Sequence, residues 1–368
     1  MQDTREILTD ILENKSVSHE EAVHLYLHAA TEDLMRVADI IRKSKHPEGV
    51  VSWIIDRNVN ISNICVSGCK FCNFHKSARS VEAYITRIEE YDEKIDVLYK
   101  LGGDQLLLQG GCNPNLDIRW YENLFFSLKS KHPNLKLHAL GPPEVAYIAE
   151  ISAISIQDTL QRLIAAGLDS LPGAGAEILS DRVRNIISPA KCNSQTWLKV
   201  MVEAHRQGLT TSATMMFGHI ETPEERITHL ELIRDVQEKR PRGAPGFISF
   251  IPWPFQSSGT TLIKEFPDIQ KIQPVEYIRL IAISRIILHN IPNIQASWLT
   301  VGPEAASICL HAGANDLGSI MIEENVVSSA GATYVINANG MENLIRKTGF
   351  IPVRRNQHFE FISTKFGA

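Results

Sequence analysis

The sequence predicts an α/β protein: a (β/α) TIM-type barrel of parallel strands, complete or open on one side, with an N-terminal helical extension. Three observations predict it. Short apolar runs alternate with helical patterns along almost the whole chain. The starts of the expected strands are separated by roughly 25 to 46 residues, the size of βαβ units. No low-complexity stretch or Pro/Gly/Ser linker divides the 368 residues, and apolar residues make up 44% of them, enough for one large core. An open doubly wound sheet is the competing arrangement.

The elements follow in order. Ser18 and Glu21 form a capping-box pattern, and Leu34, Val37, Ala38 and Ile41 recur at helical spacing until His46-Pro47-Glu48-Gly49 stops the run. Residues 1–50 are therefore expected to be a helical extension. Strands are expected at Val59–Ile64, Gln105–Gln109, Leu135–Leu140, Leu168–Pro172, Thr210–Phe217, Phe247–Pro252, Asn293–Trp298 and Gly318–Met321. Gly102-Gly103 reads as a helix C-cap before the second strand, with Asp104 as turn chemistry. Ser155 and Asp158 begin a helix that ends at Gly167, and another runs from about Ser194 to Gly208 through Trp197, Met201 and Ala204. Thr222 as N-cap, Pro223 at N1 and Glu225 at N3 agree on a third start. Met341–Lys347 reads as a surface helix, and Phe350–Phe361 is weakly patterned. The expected organisation is 1–50 extension, 51–335 barrel, and 336–368 a C-terminal helix and tail packing on the barrel.

Charge excludes some functions. There are 37 basic and 42 acidic residues, net −5, with no long block of like charge, so nucleic-acid binding is not expected. Asp3, Arg5, Glu6 and Asp10 interrupt any leader-like apolar core. The apolar run Ile278–Leu288 carries Arg279 and Arg285 and is too short for a bilayer. A cytoplasmic protein with a small-molecule substrate and no membrane partner is expected.

Of six cysteines, three fall together: Cys65-Val66-Ser67-Gly68-Cys69-Lys70-Phe71-Cys72, after the first expected strand, where barrels build their sites. Three clustered thiolates suit a soft metal centre. A 4Fe–4S cluster usually takes four, so three leave one iron open. Gly68 permits the tight turn. Zinc held by Cys65, Cys69, Cys72 and His75 is the alternative, as in a zinc-stabilised binding protein. Cys112, Cys192 and Cys309 read as inert buried thiols, Cys112 least securely because it adjoins Gln109-Gly110-Gly111.

The C-x3-C-x2-C spacing, with an aromatic before the third cysteine, resembles the signature of the radical S-adenosylmethionine superfamily. That resemblance implies S-adenosylmethionine at the later strand ends. Gln109, Gly110 and Gly111 match the glycine motif near the methionyl amine. Glu177, in Gly173-Ala174-Gly175-Ala176-Glu177, is implied for the ribose or methionyl part, and Arg182 for the carboxylate. Gly218 and Glu221, in Gly218-His219-Ile220-Glu221, match the adenine-side motif.

Further stretches resemble the futalosine-pathway branch, from about Glu20 to Arg355. They include Leu106 to Gly111, His138-Ala139-Leu140 with Pro142-Pro143-Glu144, Thr214 to His219, Phe250 to Gln256, Gln295 to Trp298, and Gly313 to Asp316 leading to Glu323 to Val327. Trp253-Pro254-Phe255 and Glu323-Glu324-Asn325-Val326 favour the dehypoxanthine futalosine cyclases over the aminofutalosine synthases. Deazaflavin-forming synthase subunits are a further relative.

The resemblance implies menaquinone biosynthesis and one electron from a donor such as a flavodoxin or ferredoxin. It implies cleavage of S-adenosylmethionine to a 5′-deoxyadenosyl radical, removal of the ribose C4′ hydrogen, and spiro closure onto the benzoate ring. Trp253, Phe255 and Trp298 are candidates for apolar closure, although both tryptophans also read as core. His138, Gln256, Gln295, Ser297, Asn315 and Glu323 are candidates for polar substrate contacts. His75, His138, His219 and Glu323 are candidates for accepting the aromatic proton.

Overall fold

The computed structural model describes residues 3–13 and 15–362. Met1, Gln2, Asn14 and the last part of the expected tail, 363–368, lie outside the described residues.

The chain opens with three helices, α1 (Thr4–Leu12), α2 (His19–His28) and α3 (Thr31–Lys45). The Ser18–Glu21 capping box is formed in both directions. These helices dock on the barrel through Tyr26 and Ala29. The Tyr26 hydroxyl accepts from Arg226 at 2.7 Å and donates to Glu276 at 2.9 Å, and Arg279 donates to the backbone oxygens of Tyr26 and Ala29.

β1 (Val50–Ile54) and β2 (Asp56–Asn60) follow, then α4 (Ile88–Lys100), β3 (Gln105–Gln109), α5 (Ile118–Lys131), β4 (Lys136–Ala139), α6 (Pro142–Ile151) and α7 (Ile156–Ala166). β5 (Ser170–Leu171), α8 (Asp181–Ile187), α9 (Ser194–Arg206), β6 (Thr210–Phe217), α10 (Pro223–Glu238) and β7 (Gly246–Pro254) continue the alternation. The chain ends with α11 (Thr261–Glu265), α12 (Pro274–Ile287), β8 (Asn293–Ile294), α13 (Trp298–Val301), α14 (Pro303–Cys309), β9 (Asp316–Ser319), α15 (Ala338–Lys347) and β10 (Ile351–Arg354).

Strands β2 to β8 form one parallel seven-stranded sheet in chain order, a partial (β/α) barrel. Segment 316–322 stands between its two ends, touching β8 through Gln295–Asp316 and β2 through Arg57–Ile322, each a single bridge. A second parallel sheet runs β10-β1-β9.

β3 and β6 match their expected bounds, and the Thr222–Pro223–Glu225 start is a complete capping box. Other expectations need correction. The first barrel strand is Asp56–Asn60, so 61–64 already belong to the site loop. β8 stops at Ile294, and Trp298 begins a helix. The last expected strand shifts to Asp316–Ser319. Two strands went unforeseen: β1, which starts at the boundary drawn for the extension, and β10, inside the weakly patterned tail. Pro352 sits in β10 because that strand is an edge, where a missing N–H costs no ladder bond.

After β10 the chain turns beneath the barrel. Buried Arg355 grips fully buried Asp316 with Nε at 2.6 Å and a second guanidinium nitrogen at 3.0 Å. Ser52 adds a hydroxyl to the same carboxylate at 2.6 Å. Gln357 accepts from Ser170, the first residue of β5, and His358 meets Thr210, the first of β6. The C-terminal segment thereby floors the barrel.

Candidate active site

The triad lies on the long connection from β2 to α4. Lys76 donates to the Asn63 carbonyl at 2.7 Å, Cys65 N–H to Lys76 at 3.2 Å, Val66 N–H to Cys112 at 3.0 Å and Lys70 N–H to Ile187 at 2.8 Å, so the loop is pinned on several sides. Gly68 adopts φ +56°, the left-handed turn that separates the first two cysteines. All three cysteines line one cavity of about 440 Å³ within the barrel.

Gly110 and Gly111 form the adjoining wall. A β-carbon on Gly111 would stand 2.4 Å from Cys65 Cβ, so only glycine fits there. Cys112, expected as a bystander, also lines the cavity. Its thiol and the Ser67 N–H donate to Cys65 and lower the Cys65 pKa. Burial pushes Cys69 up to about 11, against the pull of Lys191.

Glu177 is buried at φ +43°, a strained conformation for a non-glycine residue, and its carboxylate lies 2.7 Å from Lys191 Nζ. Burial alone would raise its pKa, but Lys191 outweighs that and keeps it ionised. Lys191, on the loop between α8 and α9, also stands over the Phe71 ring and lines the cavity. Glu144, at the third position of α6, accepts from Gly110 N–H at 3.1 Å, and burial raises its pKa to about 8. Sequence reasoning missed both roles. Lys191 stands in an unpatterned loop, whereas Glu144 is in a quoted motif whose chemistry was not assigned.

Gln109, His138, Trp253, Phe255, Gln256, Gln295, Ser297 and Trp298 line the same cavity. His138 places Nδ1 2.7 Å from Ser170 Oγ, and burial with the nearby Arg355 charge pushes its pKa down to about 3. Trp298 donates its indole N–H to Ser319 at 3.0 Å, so it is anchored as well as exposed to the cavity.

Seven candidates are placed elsewhere. Arg182 points outward and grips Glu225, with a further bond to the Ile220 carbonyl at 2.9 Å. The Gly218 and His219 N–H groups donate to Glu221, whose pKa is held low by His219, Arg226 and these bonds despite burial. His219 itself stands behind Phe255, ring centroids 6.3 Å apart. Asn315 is buried at the base of the strands, bonded to Asn293, Arg285 and Ile294. Glu323 is clamped by Arg57 and Lys94 on the outer side of β2, and they lower its pKa against the effect of burial. His75 meets the Cys72 carbonyl at 2.9 Å, and the Cys72 thiol, followed by this carbonyl, raises its pKa against the effect of burial. Among the described residues no three His, Cys, Asp or Glu side chains converge on a single ion, and this holds for the three cysteines alone as it does for the three with His75. No described helix is long and apolar enough to cross a membrane.

Comparison with known proteins agrees with this geometry. Residues 59–233 match the model of the radical SAM superfamily, and residues 244–366 that of the CofH/MqnC C-terminal region. The cyclic dehypoxanthine futalosine synthase of Halalkalibacterium halodurans is 40% identical over 97% of this chain and 95% of that protein. The synthase of the same name from Streptomyces coelicolor is 39% identical over 98% and 89%. The 5-amino-6-(D-ribitylamino)uracil–L-tyrosine 4-hydroxyphenyl transferase 1 of Methanosarcina mazei is 36% identical over 94% and 92%. Two solved structures share the fold. Methylornithine synthase (PylB) has TM-score 0.69 and 17% identity, covering 95% of this chain and 98% of that one. The [FeFe]-hydrogenase maturase HydG has TM-score 0.74 and 16% identity, covering 95% and 76%. A thiol triad on the first barrel connection, a glycine wall beside it and near full-length similarity to synthases lead to one conclusion: the chain is an enzyme of the radical SAM superfamily, in the branch that holds the cyclic dehypoxanthine futalosine synthases.

Proposed function

We propose that this enzyme converts dehypoxanthine futalosine to cyclic dehypoxanthine futalosine. The observation that carries this reading is the shared cavity: Cys65, Cys69 and Cys72 open onto the same space as Trp253, Phe255 and Trp298. The family implies a 4Fe–4S cluster and S-adenosylmethionine. The residues fit them, because three thiols on one loop leave an iron open and Gly111, where a β-carbon would strike Cys65, lets the glycine wall lie directly against the first cysteine. Together the two groups supply a 5′-deoxyadenosyl radical when reduced by a one-electron donor of the flavodoxin or ferredoxin class.

The chain's own groups bind, orient and exclude water. Gly110 and Gly111 let backbone approach the methionyl part, and Glu177 serves the ribose or methionyl part. Lys191, rather than Arg182, receives the methionyl carboxylate, a reading supported by Lys191 lining the cavity while Arg182 is engaged outside it. The aromatic wall of Trp253, Phe255 and Trp298 keeps the reacting centre dry. Of the four groups considered for the aromatic proton, only His138 lines the cavity. Its imidazole is neutral and can accept a hydrogen bond, but burial makes it a weak base.

The test is anaerobic reconstitution with iron and sulfide, followed by S-adenosylmethionine, reductant and dehypoxanthine futalosine. The cyclised product and 5′-deoxyadenosine are expected together. Release of 5′-deoxyadenosine without cyclisation, or turnover of 5-amino-6-(D-ribitylamino)uracil with tyrosine instead, overturns the assignment.

A further inference from the structure

The deep end of the cavity, around the amino ends of β2 and β3, carries hydrogen-bonding capacity that the folded chain leaves unused. Gln105 and Asn58 are each 4% exposed and both line the cavity. Among the described residues, Gln105 Oε1 and Asn58 Oδ1 have no hydrogen-bond partner. The Gln105 amide is fixed in sense. Its nitrogen donates to Asp56 Oδ2 at 3.1 Å, and turning it over would set oxygen against oxygen. The other Asp56 oxygen accepts from Ser319.

Strand register places these groups in two layers. Asn58, Leu107, His138 and Ser170 lie side by side across β2 to β5, with Asp56 and Gln105 in the layer beneath. His138 Nδ1 is taken by Ser170. A buried amide oxygen without a donor is costly, and two beside one cavity take their donors from what fills it, ordered water or the hydroxyls of a ligand that displaces it.

Charge decides which donors. The cations lining the cavity are Arg355 and Lys191. Arg355 is held at 2.6 and 3.0 Å by Asp316, and Lys191 is paired with Glu177 beside Cys69. A carboxylate placed at the deep end would therefore meet Asp56, with Arg355 already bound by Asp316 and Lys191 away at the cysteine end of the cavity. Neutral hydroxyl groups, which donate and accept, match the amide oxygens and the imidazole.

We propose that Asp56, Asn58, Gln105 and His138 form the subsite for a hydroxyl-bearing, sugar-like part of the substrate, with its carboxylated aromatic part directed away from this floor. The proposal rests on the cyclase reading and orients that substrate.

The experiment measures binding to the cluster-loaded protein with S-adenosylmethionine present, for wild type, Gln105→Leu and Asn58→Leu. The ligands are dehypoxanthine futalosine and its ribose-deoxy analogues, each lacking one hydroxyl. Each variant is expected to lose about tenfold in affinity for the parent compound, the scale of a buried hydrogen bond. For one analogue it should match wild type within about twofold, because the missing hydroxyl and the missing acceptor are the same interaction. Equal losses for parent and all analogues would mark a structural role and overturn the subsite, as would unchanged binding. If wild type converts the parent compound yet no pair couples, the subsite falls and the cyclase reading stands. If wild type neither binds nor converts it, the cyclase reading falls and takes the subsite with it.

Discussion

Gly111 faces Cys65 so closely that a β-carbon would lie 2.4 Å from Cys65 Cβ, 3.0 Å from its sulfur and 2.8 Å from the Ile64 carbonyl. No side-chain adjustment relieves a clash with backbone. Gly111→Ala is expected to displace the first cysteine and cut reconstituted iron at least fivefold, with the helical circular dichroism unchanged. Iron and sulfide analysis checks it, and a fully loaded, active variant would show that the loop yields.

Under the proposed function Lys191 takes the carboxylate-binding role that motif position suggests for Arg182. Lys191→Met leaves the Glu177 carboxylate buried without its cation, a loss on the order of 3–5 kcal/mol in stability. S-adenosylmethionine affinity should fall more than tenfold. Arg182→Ala breaks an ion pair whose arginine side chain is 51% exposed and should cost under about 1 kcal/mol with affinity unchanged. Equilibrium dialysis of both variants decides; a large affinity loss in Arg182→Ala alone would restore the motif reading.

Glu144 gives a pH signature. Burial raises its pKa to about 8, so the native state holds a proton that the unfolded chain gives up near the ordinary carboxylate range of about 4.3. The native state then binds more protons across that window. Stability contributed by the protonated group is full below the unfolded pKa and declines as pH rises towards about 8, by up to about 1.4 kcal/mol per pH unit. Glu144→Gln should flatten the denaturation profile of the cluster-free protein between pH 5 and 8. An unchanged slope would place the pH dependence elsewhere.

Arg355 and Asp316 close the barrel floor. Arg355→Met strands a fully buried carboxylate and is expected to cost about 3–5 kcal/mol, read as a fall in denaturation midpoint. The double variant Arg355→Met with Asp316→Leu should recover part of the loss. Additive losses would mean that the pair does not interact.

What the sequence revealed follows from range. The cysteine spacing is local, so the triad is legible, and β3, a Leu-Leu-Leu core between glutamines, and β6, Thr-rich and ending in Met-Met-Phe, are each bounded by glycine turns. Arg182, Glu221, Asn315 and Glu323 carry the right chemistry near strand ends, but spacing does not tell an inward face from an outward one. Lys191 reaches Glu177 by the fold of a loop, with no periodicity to announce it. The run Val50-Val51-Ser52-Trp53-Ile54 was a readable strand signal. Its neighbour β10 was not, since four residues containing Pro352 become a strand only by pairing with β1.

That pairing also sets an order of events during synthesis. Val50 is made early but finds Ile351 about 300 residues later, which at typical translation rates is roughly 15 to 60 s. Until then the cavity has no floor. The thiols emerge in the first fifth of the chain, so for most of its birth the polypeptide presents three reactive sulfurs on an unfinished barrel. A chain that stops short of β10 lacks both the Arg355–Asp316 pair and the segment that closes the base of the cavity.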